Sequence, residues 1–350
     1  MPKGEYLQYG GQALIEGVMM RSPNNWAAAC RAPSGQIVLL QEPLEKTWIG
    51  KQKWLKLPFL RGTLAILDGL ALGTRALKFA SRIQLDPEFT EKKPADFVTP
   101  EGSEVVREEI KKQSGSLGLS IAITMIAGLA FGLLLFSGAP NYLAELCRRL
   151  GITDPRLLNL TAEIIKIIFF LGYIALIGQM KEIREVFKYH GAEHKAINAL
   201  EAEQALTKEN AQAQTRLHPR CGTSFAIIVL IVSLLLFTFI PRYPLELQFP
   251  PGTSIWANIV NVGVRVSIEL SLLPLVAGIS YEALRIAGKF RNQAWVKVAF
   301  FPGLMTQYLT TREPSDSQTE VALTSLRAVM DAENSSSIEA EPTIQISGTG

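Results

Sequence analysis

Thr223–Ile240 reads TSFAIIVLIVSLLLFTFI, eighteen residues without one charged side chain. As a helix rising 1.5 Å per residue it is about 27 Å long, close to the hydrocarbon thickness of a bilayer. Three other stretches have the same character. Leu117–Ser137 is uncharged, Leu160–Met180 carries Glu163 and Lys166, and Ala257–Tyr281 carries Arg265 and Glu269. One such segment would also suit a buried helix of a soluble protein; four in one chain predict a membrane protein. The expected fold is a mainly α-helical integral membrane protein with about four transmembrane helices and a small β-containing N-terminal cytoplasmic domain.

Of the 350 residues, 48% are hydrophobic and 19% charged, whereas a disordered chain is charge-rich and apolar-poor. The 27 Gly and 19 Pro are ordinary counts, which excludes a collagen-like chain. A net charge of +3 gives no basic surplus for nucleic acid, so the expected partner is the lipid bilayer. Cys30, Cys147 and Cys221 are too few and too scattered for a disulfide framework. The N-terminal MPKGEYLQYGGQALIEGVMM has no uninterrupted apolar core, so no cleavable signal is expected.

Lys and Arg in the connections predict orientation. The loop between the second and third spans holds Lys181, Arg184, Lys188, Lys195, Lys208, Arg216 and Arg220, against Arg242 alone in the next loop. Arg107, Lys111 and Lys112 precede the first span, and Arg285, Lys289 and Arg291 follow the fourth. Both termini and the 181–222 loop are therefore expected in the cytoplasm or its topological equivalent. Arg148, Arg149 and Arg156, in the first connection, fit this least well.

The chain divides into an N-terminal domain (1–113), a membrane domain (114–281), a C-terminal segment (282–330) and a tail (331–350) expected to be disordered from its Ser, Glu and Gly content. In the first unit Gln12–Val18, Trp26–Arg31 and Gln36–Gln41 read as short β runs, separated by the turn clusters Ser22–Asn25 and Pro33–Gly35. Residues 58–82 read as a helix, either packed on the β-unit or lying at the membrane surface. A Pro- and charge-rich linker is expected over 86–104, and an amphipathic helix over Thr319–Met330.

All three histidines, His190, His194 and His218, fall in one 29-residue window of the central loop. Tyr189-His190-Gly191-Ala192-Glu193-His194 lies in a stretch with helical composition, where positions i, i+3 and i+4 share a face. Two imidazoles spaced i, i+4 can reach one divalent cation, and their borderline-soft nitrogens suit Zn²⁺. Glu193 would then act as general base toward a water acidified by the cation; H-x-x-E-H is the inverted form of the zincin signature. The competing reading is a helix with two solvated histidines. Glu201 shares the face but lies about 10 Å along the axis from His194, too far to share the ion. His218 and Cys221, at the mouth of the third span, and Glu282, ending the fourth on the same side, are the candidates to complete the site. Cys221 read alone is a small buried residue, and Glu282 an exposed interfacial one. Glu16, Arg21 and Cys30 are the N-terminal residues with reactive groups, with solvated or core roles as the simpler reading. Arg265 and Glu269 form an i, i+4 pair, read either as an intrahelical ion pair or as part of a transport path. Gly128 and Gly132 make a helix-packing Gly-x-x-x-Gly.

Four blocks together resemble the YqhQ-like family of membrane proteins: Gly10–Arg21 (GGQALIEGVMMR), Tyr189–Lys195 (YHGAEHK), His218–Phe225 (HPRCGTSF) and Leu309–Pro314 (LTTREP). They span roughly residues 6–330. The resemblance implies a metal-dependent enzyme with the second and third blocks as its metal motifs, and it implies no substrate. The sequence thus predicts a zinc-dependent hydrolase at the membrane surface. Glu193 would be catalytic, and His190, His194, His218, Cys221 and Glu282 the candidate ligands. The alternative is a non-catalytic scaffold or assembly factor whose histidine cluster holds a structural metal, a cofactor or a partner.

Overall fold

Residues 9–44, 57, 59–86, 89, 116–219, 221–241, 255–290, 293–335 and 343–347 are described by the computed structural model of the protein. The expected 86–104 linker, beyond Asp86 and Phe89, lies outside them, as do Arg107, Lys111, Lys112, Arg220, Arg242 and Arg291.

Strands β1 (Gly10–Leu14), β2 (Gly17–Arg21), β3 (Asn25–Arg31) and β4 (Ile37–Pro43) form an antiparallel meander in sequence order. The run Gln12–Val18 is two strands rather than one. Leu14 pairs with Gly17 across a two-residue turn in which Glu16 adopts φ 49°. Gly17 is required because a Cβ there would meet the Ala29 carbonyl oxygen at 2.5 Å. At the far edge β5 (Thr343–Ser347) pairs antiparallel with β4. Within the tail expected to be disordered, the described residues 331–335 end a helix and 343–347 form this strand, whose Thr-Ile-Gln-Ile-Ser alternates polar and apolar residues with β-branched side chains, which suits an edge strand.

Successive strand residues face opposite sides of a sheet, and here both sides are apolar. Met19, Trp26, Ala28, Cys30 and Val38 face helix α1 (Leu60–Leu85), which supplies Leu72, Ala76, Phe79, Ala80 and Ile83. Val18, Met20, Ala27, Ala29, Ile37 and Leu39 face the other way. They meet Tyr189, Ala192 and Ala196 of α5 (Lys181–Glu201) and Val321, Leu326 and Val329 of α10 (Asp316–Ser335). The sheet is therefore the middle of three layers. Each fully buried Leu, Val, Ile or Phe contributes roughly 1.5–3 kcal/mol to holding them together.

Four helices are long and apolar enough to cross a membrane, spanning Ile126–Arg148, Pro155–Ile177, Gly222–Phe239 and Trp256–Ile286. The first lies further along the chain than 117–137. Helix α2 (Ser116–Leu133) does not stop at Ser137. It passes through a π-helical turn, Leu134–Gly138, straight into α3 (Ala139–Arg149). Helix α4 (Pro155–Ile177) is capped by Asp154, which accepts from the Arg156 and Leu157 amides. Helices α7 (Gly222–Phe239) and α8 (Ile255–Lys289) complete the membrane layer. Leu129, Phe131, Ile168, Leu176, Leu235 and Phe239 point outward, an arrangement suited to lipid and not to water.

Two elements tie this layer to the sheet. Helix α1 starts against α8, where Gly62 and Gly278 allow backbone contact. There Arg61 grips Glu282 with two bonds of 2.6 and 2.5 Å. Ile66, Leu67 and Leu70 on the same helix stay exposed, so α1 both packs on the sheet and presents an apolar flank. Helix α5 follows α4 directly. The segment 282–330 also holds α9 (Ala294–Thr310), not anticipated because Pro302 and Gly303 interrupt its apolar run; it packs on α7 with Gly303 against Ser224.

The end of α10 is pinned by Glu333. Its carboxylate accepts from Ser22 Oγ at 2.5 Å, Asn24 Nδ2 at 2.6 Å and Asn25 Nδ2 at 3.0 Å. Burial pushes its acidity toward the neutral form, but these donors win and hold the group below the ordinary carboxylate range. Its stabilisation is therefore present above the unfolded carboxylate pKa and is lost as pH falls through the folded one. Glu333→Ala is expected to remove roughly 2 kcal/mol of α10 docking. Amide hydrogen exchange should show faster opening of α10 at neutral pH in the variant, and the difference from wild type should shrink on acidification.

Candidate metal centre

Helix α5 covers the sheet with Tyr189, Ala192 and Ala196, and the flank next to these carries His190, Glu193 and His194. His190 Nδ1 lies 2.8 Å from the Thr310 carbonyl oxygen, and His194 Nδ1 lies 2.6 Å from the Arg216 carbonyl oxygen. A carbonyl only accepts, so each Nδ1 carries a proton and donates it, and Nε2 is the ring nitrogen left to face the cluster. His190 Nε2 is 3.1 Å from Cys221 Sγ, and His194 Nε2 is buried without a hydrogen-bond partner. One ligand atom each from His190, His194 and Cys221 lies within 4.8 Å of the others. Among the described residues this is the one group of three or more His, Cys, Asp or Glu so placed.

The electrostatics suit a cation. Burial lowers the basicity of His194, so it resists protonation, although contact with Cys221 works the other way. Burial opposes ionisation of Cys221, but its contacts with His194 and Thr223 prevail and hold it below the ordinary thiol range. Cys221 also caps α7, receiving the Thr223 amide. Glu193 is deeply buried and pushed up to about 8, chiefly by desolvation; the Cys221 charge adds to this, while His190 and the Gly11 amide oppose it. Gly11 is there for fit: a Cβ on it would sit 2.6 Å from the Met19 carbonyl and 3.0 Å from Glu193 Cδ.

His218 and Glu282 stand apart from this group. His218 directs Nε2 to Glu201 Oε1 at 3.1 Å, its ring centre 5.7 Å from that of His194. Its backbone is clamped by Gln307, which accepts from the His218 amide at 2.8 Å and donates to its carbonyl at 2.6 Å. Glu282, expected among the ligand candidates, has both oxygens engaged by Arg61 as an interhelix tie and is not part of the His190, His194 and Cys221 group. Glu16 accepts from the Tyr189 hydroxyl at 3.0 Å, Cys30 is buried against α1, and Arg21 is an exposed strand end.

Sequence reasoning gave no role to Thr310, Gln307 or Arg216. Thr310 and Arg216 orient the imidazoles through main-chain oxygens, which no side-chain motif reveals. The Leu309–Pro314 block carried a signal, because it wraps the site. Arg216 donates to the Thr311 carbonyl and hydroxyl, and Glu313 bridges Lys195 at 2.9 Å and Arg216 at 3.4 Å. Gly191 is the reason α5 can lie against this block, since a Cβ would overlap the Arg312 carbonyl.

Fold and site together define a multi-pass membrane protein with a His/His/Cys group, His194 and Cys221 buried and His190 half-buried, between its membrane helices and its sheet. The family described as "Protein of unknown function (DUF1385)" matches residues 57–332. The chain is 36% identical over 327 residues to "Uncharacterized protein YqhQ" of Bacillus subtilis (strain 168), covering 92% of each. It belongs to this family. No solved structure matches it.

Gly191→Ala is expected to lift α5 off the Arg312 carbonyl at the cost of overpacking, roughly 1–3 kcal/mol. The readout is a lower thermal midpoint together with faster alkylation of Cys221 by a thiol reagent.

Proposed function

We propose that the protein is a metal-dependent membrane enzyme of hydrolase type, with His190 Nε2, His194 Nε2 and Cys221 Sγ as its three protein ligands and Zn²⁺ as the ion. The observation that carries this reading is the pair of Nδ1–carbonyl bonds. Metal-binding histidines generally donate their second ring N–H in this way, which fixes the tautomer and sharpens the lone pair. The orphaned, buried His194 Nε2 fits the same account, since a buried ring nitrogen without a partner is costly. Two imidazoles and one thiolate suit zinc, and three protein ligands leave a fourth position for water or substrate. Bound there, zinc would supply Lewis acidity and an acidified water.

The rest is done by the chain's own groups. Thr310 and Arg216 hold the imidazoles through their carbonyls. Gln307 fixes the turn that delivers Cys221. Glu193 is the proton-exchanging group: burial shifts its acidity to about 8, so it acts as a base through an ionised form whose population grows as pH rises toward that value. His218 and Glu201 brace the neighbouring turn. By the distribution of Lys and Arg, the centre and both termini lie on the cytoplasmic side.

The burial of His194 and Glu193 favours a second reading, a structural ion in a non-catalytic scaffold. One pair of measurements separates the two. Elemental mass spectrometry of the detergent-purified protein is expected to find about one zinc per chain, lost on joint His190→Ala and His194→Ala substitution. Glu193→Gln is expected to keep the zinc. Against p-nitrophenyl acetate and bis(p-nitrophenyl) phosphate as hydrolysis probes, it should lose about 10²–10⁴-fold in rate. Zinc with no Glu193-dependent hydrolysis supports the scaffold; no stoichiometric metal after zinc is added back sinks both readings.

A further inference from the structure

A second polar centre lies inside the membrane layer, away from the metal ligands. Lys166 of α4 donates to Glu163 Oε1 at 2.8 Å and pairs with Glu269 Oε2 of α8 at 3.2 Å. Glu269 also accepts from Ser137 Oγ at 2.5 Å and from Asn141 Nδ2 at 2.8 Å. Ser137 belongs to the π-helical turn, whose widened backbone also offers its own carbonyl to Asn141 at 3.0 Å. Such turns are frequent at functional sites. Arg265 donates to the Phe237 carbonyl at 3.0 Å, and both Arg265 and Lys166 lie over the Phe237 ring. Phe237 is sixteen residues along from Cys221, roughly 24 Å of helix, so the two centres are distinct.

The charges facing Glu163 are Lys166 on its own helix and Arg265 and Glu269 on α8. Helix α3 brings neutral Asn141 and the ion pair Glu145–Arg148, and α7 brings no titratable group. The set of Glu163, Glu269, Lys166 and Arg265 is formally neutral. A network serving only as packing would satisfy each of its acceptors. Three carboxylate oxygens are held, but the fourth, Glu163 Oε2, is buried with no hydrogen-bond partner.

A stripe of polar side chains runs from the cluster along α8. Asn258, Asn261, Arg265 and Glu269 follow one another at spacings of three, four and four on one face of α8, and all four are buried. The stripe begins one turn from Ile255 and covers about 16 Å of helix rise. Asn258 Nδ2 has no partner. Beyond Glu269 the next buried side chains of α8, Val276 and Ala277, are apolar, and the buried Ser280 hydroxyl spends its hydrogen bond on the Val276 carbonyl.

We propose that this cluster is an intramembrane proton-binding site, with Glu163 Oε2 as the atom that takes the proton and the Asn258–Glu269 stripe as its approach from the N-terminal end of α8. Protonation places an O–H where a bare carboxylate oxygen is stranded in low dielectric. Lys166, shared by two carboxylates, is then drawn to Glu269. The site opens toward the membrane face opposite the metal centre, and the apolar segment after Glu269 closes it on the other.

Infrared difference spectroscopy of the full-length protein in lipid nanodiscs, under pH steps and H₂O–D₂O exchange, tests this. A carboxylic C=O stretch is expected that grows and fades with bulk pH, shifts in D₂O and is absent in Glu163→Gln. Glu163→Asp should move the band without abolishing it, and Asn258→Leu should slow its exchange. Glu163→Gln is expected to elute as wild type and to keep wild-type metal content, which keeps this outcome separate from the metal centre. The proposal is overturned if wild type shows no titrating carboxyl band, if the band survives Glu163→Gln, or if it responds to Na⁺ at fixed pH and not to protons.

Discussion

Gly191 lets the Arg312 carbonyl rest against the backbone of α5, and the site follows from that contact. With the helix pressed there, Thr310 comes within reach of His190, Arg312 N bonds the Phe187 carbonyl at 2.8 Å, and Gln212 reaches the Pro314 carbonyl at 3.1 Å. The same helix presents Tyr189, Ala192 and Ala196 to the sheet and brings Glu193 to Gly11 at its edge. Three polar residues can then turn inward from a helix whose other sides are occupied. A buried helix flank of this kind is tolerable only because each inward nitrogen or oxygen meets a main-chain group or another member of the cluster. His194 Nε2 is the atom for which this accounting fails.

The membrane layer obeys the same rule in a harsher solvent. Intramembrane charges persist where they pair or face inward, and Glu163, Lys166, Glu269 and Arg265 do both. To the Arg265–Glu269 spacing read from the sequence the fold adds contacts between helices. Glu269 is answered by Lys166, Ser137 and Asn141, while Arg265 turns to α7. The cost of carrying four charges through lipid is met by cross-links among four helices, α3, α4, α7 and α8.

How much of this the sequence displayed depended on whether the signal was local. The spans are local: about twenty apolar residues outweigh any alternative, and the four helices stand where hydropathy put them, apart from the first, which the π-turn carries onward to Arg149. The inward face of α5 is local too, because H-x-x-E-H is a statement about one helix. The third member of the group is not. That Cys221 rather than His218 lies beside His190 and His194 depends on the turn that Gln307 clamps from α9, a helix whose Pro302 and Gly303 disguise it. Glu282 looked available until Arg61, more than two hundred positions away, claimed both its oxygens. The turn at Glu16 and the strand Thr343–Ser347 were missed for a similar reason, since register and edge pairing belong to the sheet and not to its pieces.

The sheet takes four strands from before the first span and its fifth from after the last, with α10 laid over the lower face. Bringing those parts together requires an even number of membrane crossings between them. It also sets an order of assembly. A ribosome that has released β1–β4 has made a sheet with one apolar face bare and one edge unpaired; α5 reaches that face only after the second span, and α10 and β5 complete the cover only after the fourth. Truncation near the C-terminus would thus act on the oldest part of the chain, and the finished soluble layer certifies that the membrane layer beneath it has been threaded through.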